Sequence, residues 1–318
     1  MFTPELSIIV YARGSAQVIA RTLESIRGQL FQEWECIVVD DGSSDATASV
    51  VQKTMDIDSR FFLVRQSYGG VAKAYNRGFM ESTPAAACVT FIDAGDVWVA
   101  SAMGDLRKCL EENLSAVGAH GLARPLDVAE KPAAVGGEWQ LHSRRLGYRD
   151  GGIREWPACE PSSFETLVWA DDSAPSGVLL VRRTAYEAVG LYDASLSECA
   201  QWDMMLRLSR VGPIGFLERV VLYELQGDVD KVVYARKKVN DERRVQRKTF
   251  YSAENSRQQA AVLRDGWRAW QRFKIKEKSK TAVTGSMIGA PLRVVKLGAE
   301  LLWHVVDYVA GKPALFGF

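Results

Sequence analysis

Val38–Asp45 reads VVDDGSSD and Thr90–Trp98 reads TFIDAGDVW. Each is a run of β-formers that stops at carboxylates, Asp40 and Asp41 in the first, Asp93 and Asp96 in the second. A near-continuous apolar run marks a strand buried on both faces of a parallel sheet. Ligands of open α/β sheets bind at the carboxyl ends of such strands. Two acidic strand ends about fifty residues apart therefore point to a site for something polar, a cation or a nucleotide. Taken alone, Asp-Gly-Ser-Ser also suits a turn and a helix cap. A second acidic end in the same order weighs against capping as the whole explanation.

Working outward, Leu6–Tyr11, Glu35–Val39, Phe61–Arg65 and Ala86–Ile92 read as strands. Between them, Ala16–Gln29, Asp45–Met55 and Val71–Ser82 have helical spacing. This alternation predicts a mostly parallel sheet with crossover helices. Farther on, Ala102–Glu112 reads as a helix, Ala116–Arg124 as a strand, and Pro125–Pro161 as loops with short strands. Ser176–Arg182 (SGVLLVR) is the next predicted strand, followed by a helix that ends at Gly190. Trp202–Val211 is a predicted helix and Ile214–Tyr223 a final strand. Asp230–Phe273 reads as one long basic helix and Ala282–Tyr308 as an amphipathic one. The expected division is an α/β domain over residues 1–228 and a helical extension over residues 229–318.

The 318 residues are 47% hydrophobic and 25% charged, an ordinary globular composition. The net charge of +1 hides an asymmetry: Lys231–Lys280 holds 16 Lys/Arg against 5 Asp/Glu. The five cysteines have no paired spacing and do not form a disulfide framework. Cys36 and Cys88 fall inside predicted strands and read as small buried hydrophobes, which fits a reducing, cytoplasmic setting. The start Met-Phe-Thr-Pro-Glu has no signal-peptide character, and no apolar run is long enough to span a bilayer. His120, His142 and His304 are scattered without metal-ligand spacing.

Several segments together carry a family resemblance: LSIIVYARGSAQVIARTLESIRGQ from Leu6, WECIVVDDGSSDAT from Trp34, GGVAKAYNRGF from Gly69 and VTFIDAGDVW from Val89. SGVLLVRRTAYEAVGLYDASL from Ser176 and QWDMMLRLSRVGPI from Gln201 continue it. In order and spacing this set resembles the family 2 glycosyltransferases of the GT-A fold, over roughly the first 225 residues. Any one motif is weak; the ordered set is specific. The resemblance implies a nucleotide-sugar donor, a UDP-sugar, and a cell-surface glycan or lipid-linked acceptor. It puts Val10, Tyr11, Ala12, Asp40 and Asp41 at the base and ribose. Lys73, Tyr75 and Asn76 fall beside the nucleotide, with Lys73 either meeting a phosphate or lying on a solvated helix face.

The chain departs from the family pattern in three places. The resemblance implies a divalent metal, Mg²⁺ or Mn²⁺, held by an Asp-rich strand end and neutralising charge on the leaving diphosphate. Here that end is Asp93-Ala94-Gly95-Asp96, and Gly95 stands where the middle carboxylate belongs. Asp93 and Asp96 still suit a hydrated ion, bound more weakly. Inverting relatives place an Asp general base before a Trp or Tyr. Here Gln201 occupies that position before Trp202, with Asp203 and Glu198 as the nearest acids. The cations expected after the last strand are replaced by Tyr223-Glu224-Leu225-Gln226. A metal-assisted inverting transferase is one reading. A catalytically impaired homologue that binds a nucleotide, glycan or partner is the alternative.

The basic window reads either as a solvated helical face or as a contact for an anionic membrane surface. Lys274–Lys280 (KIKEKSK) precedes the amphipathic stretch, a pairing that suits peripheral attachment over residues 274–308. No nucleic-acid recognition fold accompanies it, so no nucleic-acid partner is expected.

Overall fold

The computed structural model describes residues 3–126, 146–156, 160–169, 176–225, 231–252 and 255–284. The first half alternates as expected: β1 (Leu6–Ala12), α1 (Ile19–Arg27), β2 (Trp34–Asp41), α2 (Thr47–Ile57), β3 (Phe61–Gln66), α3 (Val71–Glu81) and β4 (Cys88–Asp93). These four strands lie parallel in the order β3-β2-β1-β4. Alternation along β1 decides which face each residue serves. Ile8 and Val10 join α1, α2 and α4 (Ala102–Glu112) in one core, while Ile9 joins α3 in the other. The seating of α3 on β1 and β2 is close: a Cβ at Gly78 would overlap Ile9 Cγ2 and lie 3.0 Å from Val39 Cγ2.

The second half extends the sheet with β5 (Val97–Trp98), β6 (Gly118–Leu126), β9 (Leu179–Arg182) and β10 (Ile214–Leu225). The full order is β3-β2-β1-β4-β9-β6-β10-β5. It is mixed: β9 runs antiparallel to both β4 and β6, and β5 antiparallel to β10. A short apolar strand such as Leu179–Arg182 has the same pattern in either direction once both faces are buried. A two-stranded hairpin, β7 (Leu146–Arg149) with β8 (Gly152–Glu155), stands apart from the sheet. Helices α5 (Phe164–Leu167), α6 (Arg183–Val189) and α7 (Ala200–Val211) complete this part.

The basic region forms two helices rather than one, α8 (Lys231–Phe250) and α9 (Arg257–Thr284). α9 opens on a reciprocal cap. The Gln259 backbone N–H donates to Ser256 Oγ at 3.1 Å, and the Ser256 N–H donates to Gln259 Oε1 at 2.9 Å. Both helices share the α3–α7 core: Val245, Val262, Leu263, Trp267 and Trp270 are buried in it. Among the described residues no helix is long and apolar enough to cross a membrane. The stretch expected to be amphipathic lies almost wholly outside the described residues.

Candidate functional site

Parallel pairing brings the acidic strand ends together. Ala12 pairs with Asp40, and Tyr11 pairs with Asp93. Asp40 and Asp41 are the last residues of β2 itself, not of a turn after it. Both are fully buried. Asp40 Oδ1 accepts from the Ser43 N–H at 3.0 Å and Oδ2 from Arg65 Nε at 3.1 Å. Asp41 organises the next loop instead. It accepts from Gln66 Nε2 at 2.7 Å and from the N–H groups of Gly69 and Gly70, both at 2.8 Å. The exposed ring of Tyr68 lies under the Arg13 guanidinium, 3.7 Å from ring centre to carbon, at the mouth of this end. Tyr11 is pushed up to about 12 by its burial and by the Asp41 and Asp93 charges.

The turn after β4 is pinned from both sides. Thr22 Oγ1 accepts from the Gly95 N–H at 2.8 Å and donates to the Asp96 carbonyl at 2.8 Å. Asp93 Oδ1 accepts from the Tyr75 hydroxyl at 2.6 Å, and Asp96 Oδ1 from the Leu225 N–H at 2.9 Å. Burial raises the proton affinity of Asp93, with the Tyr75 hydrogen bond opposing it. Asp96 is raised well above the usual carboxylate range by burial, then by the Asp93 and Glu224 charges. A cation or a proton relieves such an arrangement. Gly95 has φ +111°, and a Cβ there would lie 2.6 Å from Leu225 Cδ2. The place of the middle carboxylate is thus filled by a side chain from β10. Among the described residues no three metal-ligating side chains are gathered. The donor set is two carboxylates, which fits an ion taking its other ligands from water and a diphosphate.

α3 joins this end to the candidate base position. Asn76 clasps the Tyr192 backbone in both directions, accepting its N–H at 2.9 Å and donating to its carbonyl at 2.9 Å. Tyr75 packs on Tyr192 with ring centres 5.4 Å apart. The Tyr192 hydroxyl donates to Gln201 Oε1 at 2.5 Å, and burial raises Tyr192 far above an ordinary phenol. Gln201 is 8% exposed, and its Nε2 has no hydrogen-bond partner among the described residues. Asp203, also buried, has both oxygens in ion pairs: Oδ2 with Arg207 Nε at 2.8 Å and Oδ1 with Lys248 Nζ at 2.9 Å. Glu198 is half-buried on the loop that opens α7, and its N–H donates to Asp241 at 2.8 Å. Lys73 is exposed on α3. Gln226 lies outside the described residues.

Sequence reading did not find Thr22, Arg65 or Gln66, nor the contacts of Lys248 and Asp241. They come from remote segments whose local sequence gives no sign of the contact. A cavity of about 140 Å³ lies elsewhere, at the amino ends of β1 and β4 beside Leu6, Cys88 and Met103.

Comparisons with known proteins bear on the family and the fold. Residues 7–155 match the family described as Glycosyl transferase family 2. The putative glycosyltransferase EpsH of Bacillus subtilis is 31% identical over 99 residues, 31% of this chain and 28% of that protein. The GalNAc(5)-diNAcBac-PP-undecaprenol beta-1,3-glucosyltransferase of Campylobacter jejuni is 33% identical over 116 residues, 36% of this chain and 37% of that protein. The matched stretches therefore span well under half of these relatives. Among solved structures, S. aureus TarS 1-349 in complex with UDP-GlcNAc superposes with TM-score 0.63 at 14% identity, covering 97% of this chain and 82% of that one. The mannosyltransferase PcManGT of Pyrobaculum calidifontis, in complex with GDP-Man and Mn2+, gives 0.62 at 14% identity, covering 98% and 89%. At such identities these likenesses establish the fold, which is of the GT-A type.

Proposed function

Residues 7–155 belong to glycosyltransferase family 2, and from that premise we propose that the chain transfers a sugar from a UDP-sugar to a cell-surface glycan or lipid-linked acceptor, with inversion. The observation that carries the proposal is the meeting of Tyr11, Asp40 and Asp93 at adjacent strand ends. The buried Asp40 carboxylate receives a nucleobase imide, flanked by the Arg65 guanidinium as a donor to a base carbonyl. The Tyr68 ring supplies a stacking face. The UDP-GlcNAc and lipid-linked chemistry in the names of similar proteins supports the choice of donor and acceptor class.

Asp93 and Asp96 hold a hydrated Mg²⁺ or Mn²⁺. When bound, the ion offsets the negative charge of the departing nucleoside diphosphate. With no carboxylate at Gly95, binding of this ion is weak and depends on the nucleotide being present. Gln201 takes no proton, because an amide is not a base at neutral pH and its oxygen already serves Tyr192. Asp203, held by two cations, serves the framework. Glu198 is left as the acid that receives the acceptor hydroxyl's proton. The site faces the cytoplasm in this proposal, with residues 274–308 as a peripheral membrane contact.

Calorimetric titration with UDP, with and without Mn2+, tests the donor half. Binding that tightens with Mn2+ is expected. A folded sample that binds UDP in neither condition refutes the proposal and leaves a non-catalytic homologue as the reading.

A further inference from the structure

The loop from Asp193 to Cys199 leads into α7 and carries Glu198 toward Gln201. It is held by a helix that the family match does not reach. Asp241 of α8 is 4% exposed, and its Oδ2 accepts from the Ser197 N–H at 2.6 Å, the Ser197 hydroxyl at 3.1 Å and the Glu198 N–H at 2.8 Å. One turn on, Arg244 Nη1 donates to the Ser195 carbonyl at 2.8 Å. A further turn on, Lys248 Nζ bridges Asp193 Oδ2 at 3.0 Å and Asp203 Oδ1 at 2.9 Å. These positions, spaced by three and four residues, share one helix face, and Val245 between them is fully buried.

We infer that α8 is the positioning element of the acceptor side, and that Asp241 is the positioning residue for the loop bearing Glu198. The assignment of that loop to the acceptor side rests on the proposed function; the clamp itself does not. The transfer unit then extends at least to Lys248. A loop before a helix leaves backbone N–H groups without intrahelical partners. Here a buried carboxylate from α8 collects two of them, and charge-assisted hydrogen bonds of this kind are among the strong ones. The donor end, built on β1, β2 and β4, makes none of these contacts.

The test uses the full chain with UDP and Mn2+ as probes, comparing wild type with Asp241→Ala and Asp241→Asn. Hydrogen exchange at the Ser197 and Glu198 amides should accelerate at least tenfold in Asp241→Ala. Asp241→Asn should recover most of the protection, because its amide oxygen can accept the same N–H groups. The UDP dissociation constant should stay within twofold in both variants. Unchanged exchange at those two amides in Asp241→Ala would overturn the inference. Acceleration throughout the chain with loss of UDP binding would overturn it too, since Asp241 would then be a general stabiliser. A wild type that fails to bind UDP would sink the donor reading, while local exchange still decides the clamp.

Discussion

Replacing Gly95 by Asp would restore the carboxylate that the family pattern expects, and the structure indicates that this replacement is costly. Gly95 has φ +111°, outside the small left-handed well that L-residues can enter. Holding a side chain in such a region costs about 1–3 kcal/mol. The new Cβ would also lie 2.6 Å from Leu225 Cδ2 and 3.3 Å from Leu225 Cβ. Overpacking of this kind costs about 1–3 kcal/mol, at the lower end if the Leu225 side chain rotates away. A third cost is electrostatic, because the added charge would sit beside Asp96, whose ionisation is already disfavoured by burial and by the Asp93 and Glu224 charges. Gly95→Asp should therefore lose about 2–6 kcal/mol of stability from the backbone and steric costs together. Urea unfolding of Gly95→Asp, Gly95→Ala and each combined with Leu225→Ala separates the contributions. Gly95→Ala has the backbone and steric costs without the charge. Leu225→Ala should relieve the steric part and leave the backbone part. A loss below about 0.5 kcal/mol for Gly95→Asp, the range of neutral surface changes, would refute the reasoning. So would a Leu225→Ala background that relieves nothing.

Other outcomes follow from the same contacts. Asp41→Ala strands the Gly69 and Gly70 N–H groups and the Gln66 amide, and should cost about 2–3 kcal/mol in urea unfolding. Asn76→Ala removes both backbone bonds to Tyr192 and should cost about 1–3 kcal/mol, measured the same way. Asp193 is partly opposed by burial but lowered to about 2 by hydrogen bonds from Ser195 and by Lys248, against 3.8 when unfolded. A depressed carboxylate stabilises the fold above its unfolded value, and that stability is lost as pH falls toward the folded value. The melting temperatures of wild type and Asp193→Asn should therefore differ at pH 6 and converge between about pH 4 and pH 2; a gap that persists at the acid end would contradict the assignment.

Part of this protein was legible in its sequence. The runs at Leu6, Trp34 and Val89 are strands because apolar β-formers at those lengths have few alternatives, and parallel pairing then places the acidic ends of β2 and β4 on either side of the end of β1. The break between α8 and α9 was missed: Ser256 and Gln259 form a cap signature at fixed spacing, but the continuous helical composition around it hid the signal. The direction of β9 was not readable, because a strand buried on both faces has no alternation to report its neighbours. Gly95 was visible as a missing carboxylate, but the reason it must be glycine lies in Leu225, 130 residues away. The same holds for Asp203, an acid in the right segment by sequence, whose oxygens are claimed by Arg207 and by Lys248 from α8. Local pattern fixes which segments become strands and helices, because periodicity and capping act within a few residues. Which carboxylates remain available for a ligand depends on partners supplied by distant segments, and only the tertiary structure decided that.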